Sequence, residues 1–248
     1  MTSDFTPSDA CCGSPATVEQ PHDYKGIFVE IDGAKTYVTG PESATKAIFV
    51  LYDIFGYSHP IIKGVDKLAD AGFRVFMPDF FEGNPAPMSL MPFDGPPNEE
   101  AMDKFCAERG GTKKTIQRTT ELLKHCETLQ PSIKTWGLLG YCWGGYVCQY
   151  AIGANTPFSA CVECHPGFPE VDVAEAVTIP LMALCSKDEP EKDFAHFQPA
   201  LRVPNYFEVY ETMVHGWLSA RAELDKDDVL TEFNRGYAAM TDWFKQYL

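Results

Sequence analysis

The stretch Leu138-Leu139-Gly140-Tyr141-Cys142-Trp143-Gly144-Gly145 decides the fold. An apolar run from Lys134 to Leu139 enters it, and a helical stretch leaves it. Between them stands G-x-C-x-G-G, the strand–turn–helix pattern of a nucleophile elbow with Cys in place of Ser. The glycines have a steric job. The turn is sharp, the residue at its tip is strained, and side chains at Gly140 and Gly144 would clash. The following helix aims its free N–H groups and positive dipole end at the sulfur, which favours a thiolate and prepares an anion site. The backbone N–H of Trp143 is then an oxyanion donor. The bland alternative is a Gly-rich turn that buries an inert Cys.

Strands and helices alternate on both sides of this turn. Before it, Gly26–Ile31 and Ala34–Val38 flank Asp32-Gly33 and read as a hairpin. Lys46–Tyr52 is a nearly continuous apolar run, as in a strand buried on both faces. A helix is predicted from Ser58 to Ala71, with Ser58 as its cap and Pro60 in its first turn. Phe73–Met77 is the next strand, and residues 82–100, rich in Pro, Gly and Met, read as a long loop. A helix over 112–129 precedes the elbow strand. After the elbow come strands at Ser159–Glu163, Pro180–Cys185 and Tyr206–Tyr210, then a helix from Asp228 to Tyr247. The alternation implies right-handed crossovers and an α/β fold, a mostly parallel central sheet with helices on both faces. Residues 1–22 are polar and aperiodic and read as a flexible tail, leaving 23–248 as one domain.

In this fold the chain order is nucleophile, acid, base. After Cys142 the chain offers Asp188 just past one strand and His215 just past the next, both at carboxyl ends where sites form in open sheets. Asp188 would orient His215, which would take the thiol proton and later activate water. Glu189 and Asp193 are the rivals for the acid.

Composition narrows the partners. Among 248 residues, Asp and Glu number 35 and Lys and Arg 20, for a net charge of −15. A chain this acidic is a poor match for nucleic acid or an anionic membrane. No apolar run reaches the ~18 to 20 residues of a membrane helix. The start, MTSDFTPSDA, lacks the features of a signal peptide, so a cytoplasmic location is expected. Nine cysteines, an odd number at irregular spacing, read as reduced thiols. Cys11-Cys12 in the tail reads as an inert exposed pair. Cys161-Val162-Glu163-Cys164-His165 spells a haem-attachment motif, but its first Cys sits in a strand whose alternate side chains face opposite ways, and no second pair completes a zinc site. No metal or organic cofactor is expected.

Together, Asp53-Ile54-Phe55-Gly56, Met77-Pro78-Asp79, Gly140-Tyr141-Cys142-Trp143-Gly144-Gly145, Asp188 and His215-Gly216 resemble the dienelactone hydrolase family, of the α/β-hydrolase fold, over residues 25–248. The resemblance implies a triad of Cys142, Asp188 and His215. It also implies that the Ile54 N–H joins that of Trp143 in the oxyanion hole. The family commonly has Glu where this chain has Asp53, a carboxylate thought to help switch the thiol on. Family members acting on dienelactone hold the substrate carboxylate with two arginines. The first would fall near Gly83, where no Arg stands; Arg221 matches the second. Phe55, Tyr57, Phe81, Trp143 and Trp217 are the remaining candidates for the pocket and point to a bulkier, more aromatic or apolar ester or lactone than dienelactone; His165 is a further candidate for its lining. The alternatives are a non-hydrolytic binder on the same fold, and a ring closure or isomerisation of a lactone-like metabolite at the same site.

Overall fold

The computed structural model of the chain describes residues 3–6, 16, 24–90, 98–168, 171–189 and 191–248. Eight strands among them form a single sheet. They are β1 (Ile27–Ile31), β2 (Ala34–Thr39), β3 (Lys46–Leu51), β4 (Arg74–Pro78), β5 (Thr135–Tyr141), β6 (Ala160–Cys164), β7 (Leu181–Ser186) and β8 (Asn205–Tyr210). Their order is β1-β2-β4-β3-β5-β6-β7-β8. The β1–β2 and β2–β4 pairs are antiparallel and the rest parallel. The longer helices are α1 (His59–Asp70), α2 (Glu99–Arg109), α3 (Thr112–Leu129), α4 (Trp143–Ala151) and α5 (Asp227–Tyr247). None of the described helices is long and apolar enough to cross a membrane.

The sheet is built from strands apolar on both faces. Ala47 to Leu51 of β3 and Leu181 to Cys185 of β7 are buried almost without exception, as helices on each side require. Register then sets the site. Leu51 pairs with Gly140, so the carboxyl end of β3, followed by Tyr52 and Asp53, lies beside the elbow. A Cβ at Gly144 would overlap the Leu51 carbonyl, so only glycine lets α4 start that close to β3. On the other face, α5 closes on α1 at Gly64, where a Cβ would overlap the Tyr237 ring. The Tyr237 hydroxyl meets that of Tyr141 at 2.8 Å and donates to the Leu218 carbonyl at 2.9 Å, tying the elbow strand to the segment after His215.

Three expectations are corrected. The loop read over 82–100 ends earlier, at Asn98, which caps α2, its Oδ1 accepting from the Ala101 N–H at 3.1 Å. Ser58 precedes α1 but makes no capping bond with its side chain; its carbonyl accepts the Ile62 N–H instead. Residues 3–6 are docked, not a free tail. Asp4 Oδ1 accepts the Thr112 N–H at 3.0 Å, supplying the start of α3 with the acceptor that Gly111 lacks. Phe5 is buried edge-on against Tyr146 of α4, and Ser3 Oγ meets the Tyr146 and Tyr150 hydroxyls, each at 2.6 Å. Cys11 and Cys12 lie outside the described residues.

Below the elbow is a buried polar pair. Gln149 Nε2 on α4 donates to Glu163 Oε2 of β6 at 2.8 Å and to the Gly167 carbonyl at 3.1 Å. Burial pushes the Glu163 carboxyl well above the usual range, with the Gln149 bond opposing it.

Candidate active site

Cys142 stands between β5 and α4 at φ 51° and ψ −112°, a left-handed backbone rare for a residue with a Cβ. Its N–H donates to the Cys164 carbonyl at 2.9 Å and its carbonyl accepts from the Tyr146 N–H at 3.0 Å. These two bonds and the crowding at Gly140 and Gly144 hold the strained turn. A Cβ at Gly140 would overlap the Gly144 carbonyl. The thiol sits at the N-terminus of α4, 3% of the residue exposed.

His215 follows β8, and its ring nitrogen Nδ1 lies 2.6 Å from Glu189 Oε1, both side chains almost fully buried. The carboxylate behind this imidazole is therefore Glu189, and the expectation for Asp188 is corrected. Asp188 Oδ2 instead accepts the backbone N–H of His215 at 2.8 Å. The turn after β7 explains the exchange. Asp188 donates its backbone N–H to Ser186 Oγ at 3.2 Å, Lys187 N–H reaches the Met213 carbonyl, and Glu189 Oε2 takes the Ser186 N–H. The chain curls so that Glu189 points back under the imidazole while Asp188 faces the backbone beyond it. Asp193 lies in a short helical turn, Glu191–Phe194, and its side chain is outside the described set.

Asp53 enters the same space from β3. Its Oδ1 accepts the Phe55 N–H at 2.9 Å; its Oδ2 accepts the Ser219 hydroxyl at 2.6 Å and the Ala220 N–H at 3.2 Å. Burial pushes this carboxyl up, while those donors and Arg221 pull it down. Two of these donors, Ser219 and Ala220, lie in the segment after His215, so Asp53 joins two walls of the site. Ser219 carried no signal in the sequence beyond lying four residues after His215.

Asp53, Phe55, Cys142, His215, Gly216 and Arg221 line a small, partly open cavity of about 10 Å³. Gly216, at φ 89°, turns the chain so that the Arg221 side chain folds back against it, where a Cβ would crowd that side chain at 3.1 Å. Arg221 Nη1 donates to the His215 carbonyl at 3.3 Å, and its guanidinium lies 5.7 Å from the Phe55 ring centre. Of the candidate pocket residues, Phe55 and Arg221 thus reach the cavity. Tyr57 does not: its hydroxyl donates to the Met77 and Lys35 carbonyls. Phe81 is packed on Trp143, ring centres 4.7 Å apart, and Trp143 donates its indole N–H to Gly110. Trp217 stacks on Tyr210 at 4.2 Å in the core. These large rings form the walls behind the site, not its lining. His165 stands behind His215, ring centres 4.8 Å apart. The backbone N–H groups of Ile54 and Trp143 donate to no acceptor in the described backbone network. The Cys161-to-His165 motif disperses its side chains: Cys161 meets Cys148, Cys164 lies 3.9 Å from the Met240 sulfur, and His165 faces His215.

The sequence profile of the dienelactone hydrolase family matches residues 34–248. An uncharacterised AIM2 family protein of Schizosaccharomyces pombe is 32% identical over 96% of this chain and 99% of its own. A carboxymethylenebutenolidase homologue of Xenopus tropicalis is 24% identical over 97% of this chain and 99% of its own. The crystal structure of a dienelactone hydrolase from Anabaena variabilis superposes with a TM-score of 0.62 at 18% identity, covering 90% of this chain and 97% of that one.

Proposed function

The chain belongs to the dienelactone hydrolase family, and from that premise we propose that it is a cysteine-dependent hydrolase of a small ester or lactone. The observation that carries the reading is the buried His215–Glu189 pair at 2.6 Å, opening onto one cavity with Cys142. In the reading, His215 takes the Cys142 proton and the thiolate adds to the substrate carbonyl carbon. The oxygen gains the negative charge and is met by the Ile54 and Trp143 N–H groups. The C–O bond to the leaving alkoxide breaks as His215 returns the proton to it, leaving a thioester on Cys142. His215 then takes a proton from water, hydroxide adds to the thioester, and the acid leaves with the thiol restored. Glu189 holds the imidazole and offsets its charge at each protonation. These steps need only this chain's residues and water.

Arg221 is the cation at the cavity and favours a substrate with a carboxylate near its reacting carbonyl. The position at Gly83 offers no second cation; its N–H is engaged by Asp79 Oδ2 at 2.7 Å. One anchor fewer forgoes a charge-assisted bond contributing ~1.5 to 3 kcal/mol, which points away from dienelactone itself and toward a substrate that relies less on its carboxylate for binding.

The test is hydrolysis of a short aryl ester by wild type and Cys142→Ala, with circular dichroism to check folding. Activity abolished in a folded variant supports the hydrolase. Full activity in Cys142→Ala removes it. No activity in either protein, with Cys142 inert to iodoacetamide, would replace it with a non-hydrolytic binder.

A further inference from the structure

His165 lies just past the end of β6 and is wholly buried. Its φ of 41° is in the left-handed region, which histidine tolerates better than most residues but adopts uncommonly. Among the described residues neither of its ring nitrogens has a hydrogen-bond partner. Buried polar atoms are generally paired, so a fold that keeps two unpaired in one side chain calls for an explanation. The ring's contacts supply one. It meets His215 edge-to-face, centroids 4.8 Å apart at 61°, and rests on Tyr141 at 6.1 Å.

The backbone around it is tied from four sides. His165 N–H donates to the Leu184 carbonyl at 2.7 Å, and the Cys164 carbonyl takes the Cys142 N–H. Gln149 bridges Glu163 to the Gly167 carbonyl, and Phe5 packs behind Gly167. The backbone on both sides of this ring is thus fixed. We propose that His165 is a positioning residue for His215: its ring fixes the plane of that imidazole and favours transfer of the Cys142 proton to it. The inference rests on the hydrolase reading and adds a residue to it.

The charges around the pair decide which ring accepts that proton. Glu189 faces His215 Nδ1 and Asp188 its backbone N–H. Arg221 holds its carbonyl, Cys142 and Asp53 share its cavity, and Tyr141 underlies His165. Burial, then the nearness of His215 and Arg221, holds His165 well below the usual histidine range. The proton goes to His215, backed by Glu189, and His165 presents an uncharged aromatic ring to the resulting cation.

The experiment follows alkylation of Cys142 by iodoacetamide from about pH 5 to about pH 9, read by mass spectrometry, in wild type and His165→Asn. Asparagine keeps the tolerance for a left-handed backbone and removes the ring. The expected result is a rise of about one unit in the apparent midpoint, a roughly tenfold slower reaction on the acid side. A folded His165→Asn protein whose profile superposes on wild type overturns the inference and leaves the hydrolase reading intact. A wild-type midpoint near the ordinary thiol value of about 8.5 overturns both. Proton NMR of the wild type needs no variant: the His165 ring signal stays constant down to about pH 5, and titration near the usual value of about 6.5 overturns the proposal.

Discussion

Replacing Glu189 with Gln separates the two neighbouring acids. The bond from His215 Nδ1 to Glu189 Oε1 is 2.6 Å, with side-chain exposures of 6% and 5%, so solvent screens it little. Gln keeps the shape and removes the charge that stabilises the imidazolium. A charge-assisted bond of this kind contributes ~1.5 to 3 kcal/mol, which is a factor of about 10 to 150 in kcat/KM. Asp188→Asn retains a carbonyl oxygen to accept the His215 backbone N–H, so its expected loss is threefold or less, at about 0.7 kcal/mol. The assay is kcat/KM for a short aryl ester near neutral pH, with thermal midpoints recorded for both variants. A loss of about a hundredfold in Asp188→Asn, with Glu189→Gln near wild type, would refute the assignment of Glu189 and restore Asp188.

Two further expectations concern stability. Glu163 has its carboxyl raised well above 4.5 by burial, so between 4.5 and the higher folded value the native state keeps a proton that the unfolded chain releases. Stability therefore falls as pH rises through that window, by up to ~1.4 kcal/mol per unit, and Glu163→Gln flattens this slope in chemical denaturation; parallel slopes in the two proteins would sink the argument. Phe5→Ala removes a buried ring docked on Tyr146, with an expected cost of about 3 to 5 kcal/mol and a thermal midpoint several degrees lower, and an unchanged midpoint would mean that residues 3–6 do not hold the body in solution.

The parts of the fold readable from sequence were those specified by short-range chemistry. All eight strands were predicted within two residues at each end, because continuous apolar runs such as Ala47–Leu51 bury both faces and leave little room for another state. The elbow was readable because Gly140 and Gly144 have no substitute where backbone meets backbone. What escaped depended on geometry across a turn. Asp188 and Glu189 are adjacent and chemically alike, and which one reaches the imidazole depends on how Ser186 and Lys187 bond within the loop. The apolar stripe of α2 is short, Met102, Phe105 and Cys106 among charged residues, and follows a Pro-rich stretch, so its start at Asn98 was hidden. Phe5 stands alone among polar residues, and nothing local says that Tyr146, far along the chain, completes its burial. The aromatic residues near the motifs were read as pocket lining; Trp217 and Phe81 proved to be packing, since large rings fill the space between the sheet and its loops at least as readily as they meet a ligand.

The cavity at Cys142 measures about 10 Å³, scarcely the room of a single water. Hydrogen peroxide is larger than water, and so is any ester. On the hydrolase reading proposed above, both would have to reach the sulfur through the same narrow space between Phe55, His215 and Arg221. Burial leaves Cys142, 3% exposed, with little surface open to a dissolved oxidant. On that reading, a narrow approach would slow turnover and oxidation together, exchanging peak rate for working lifetime.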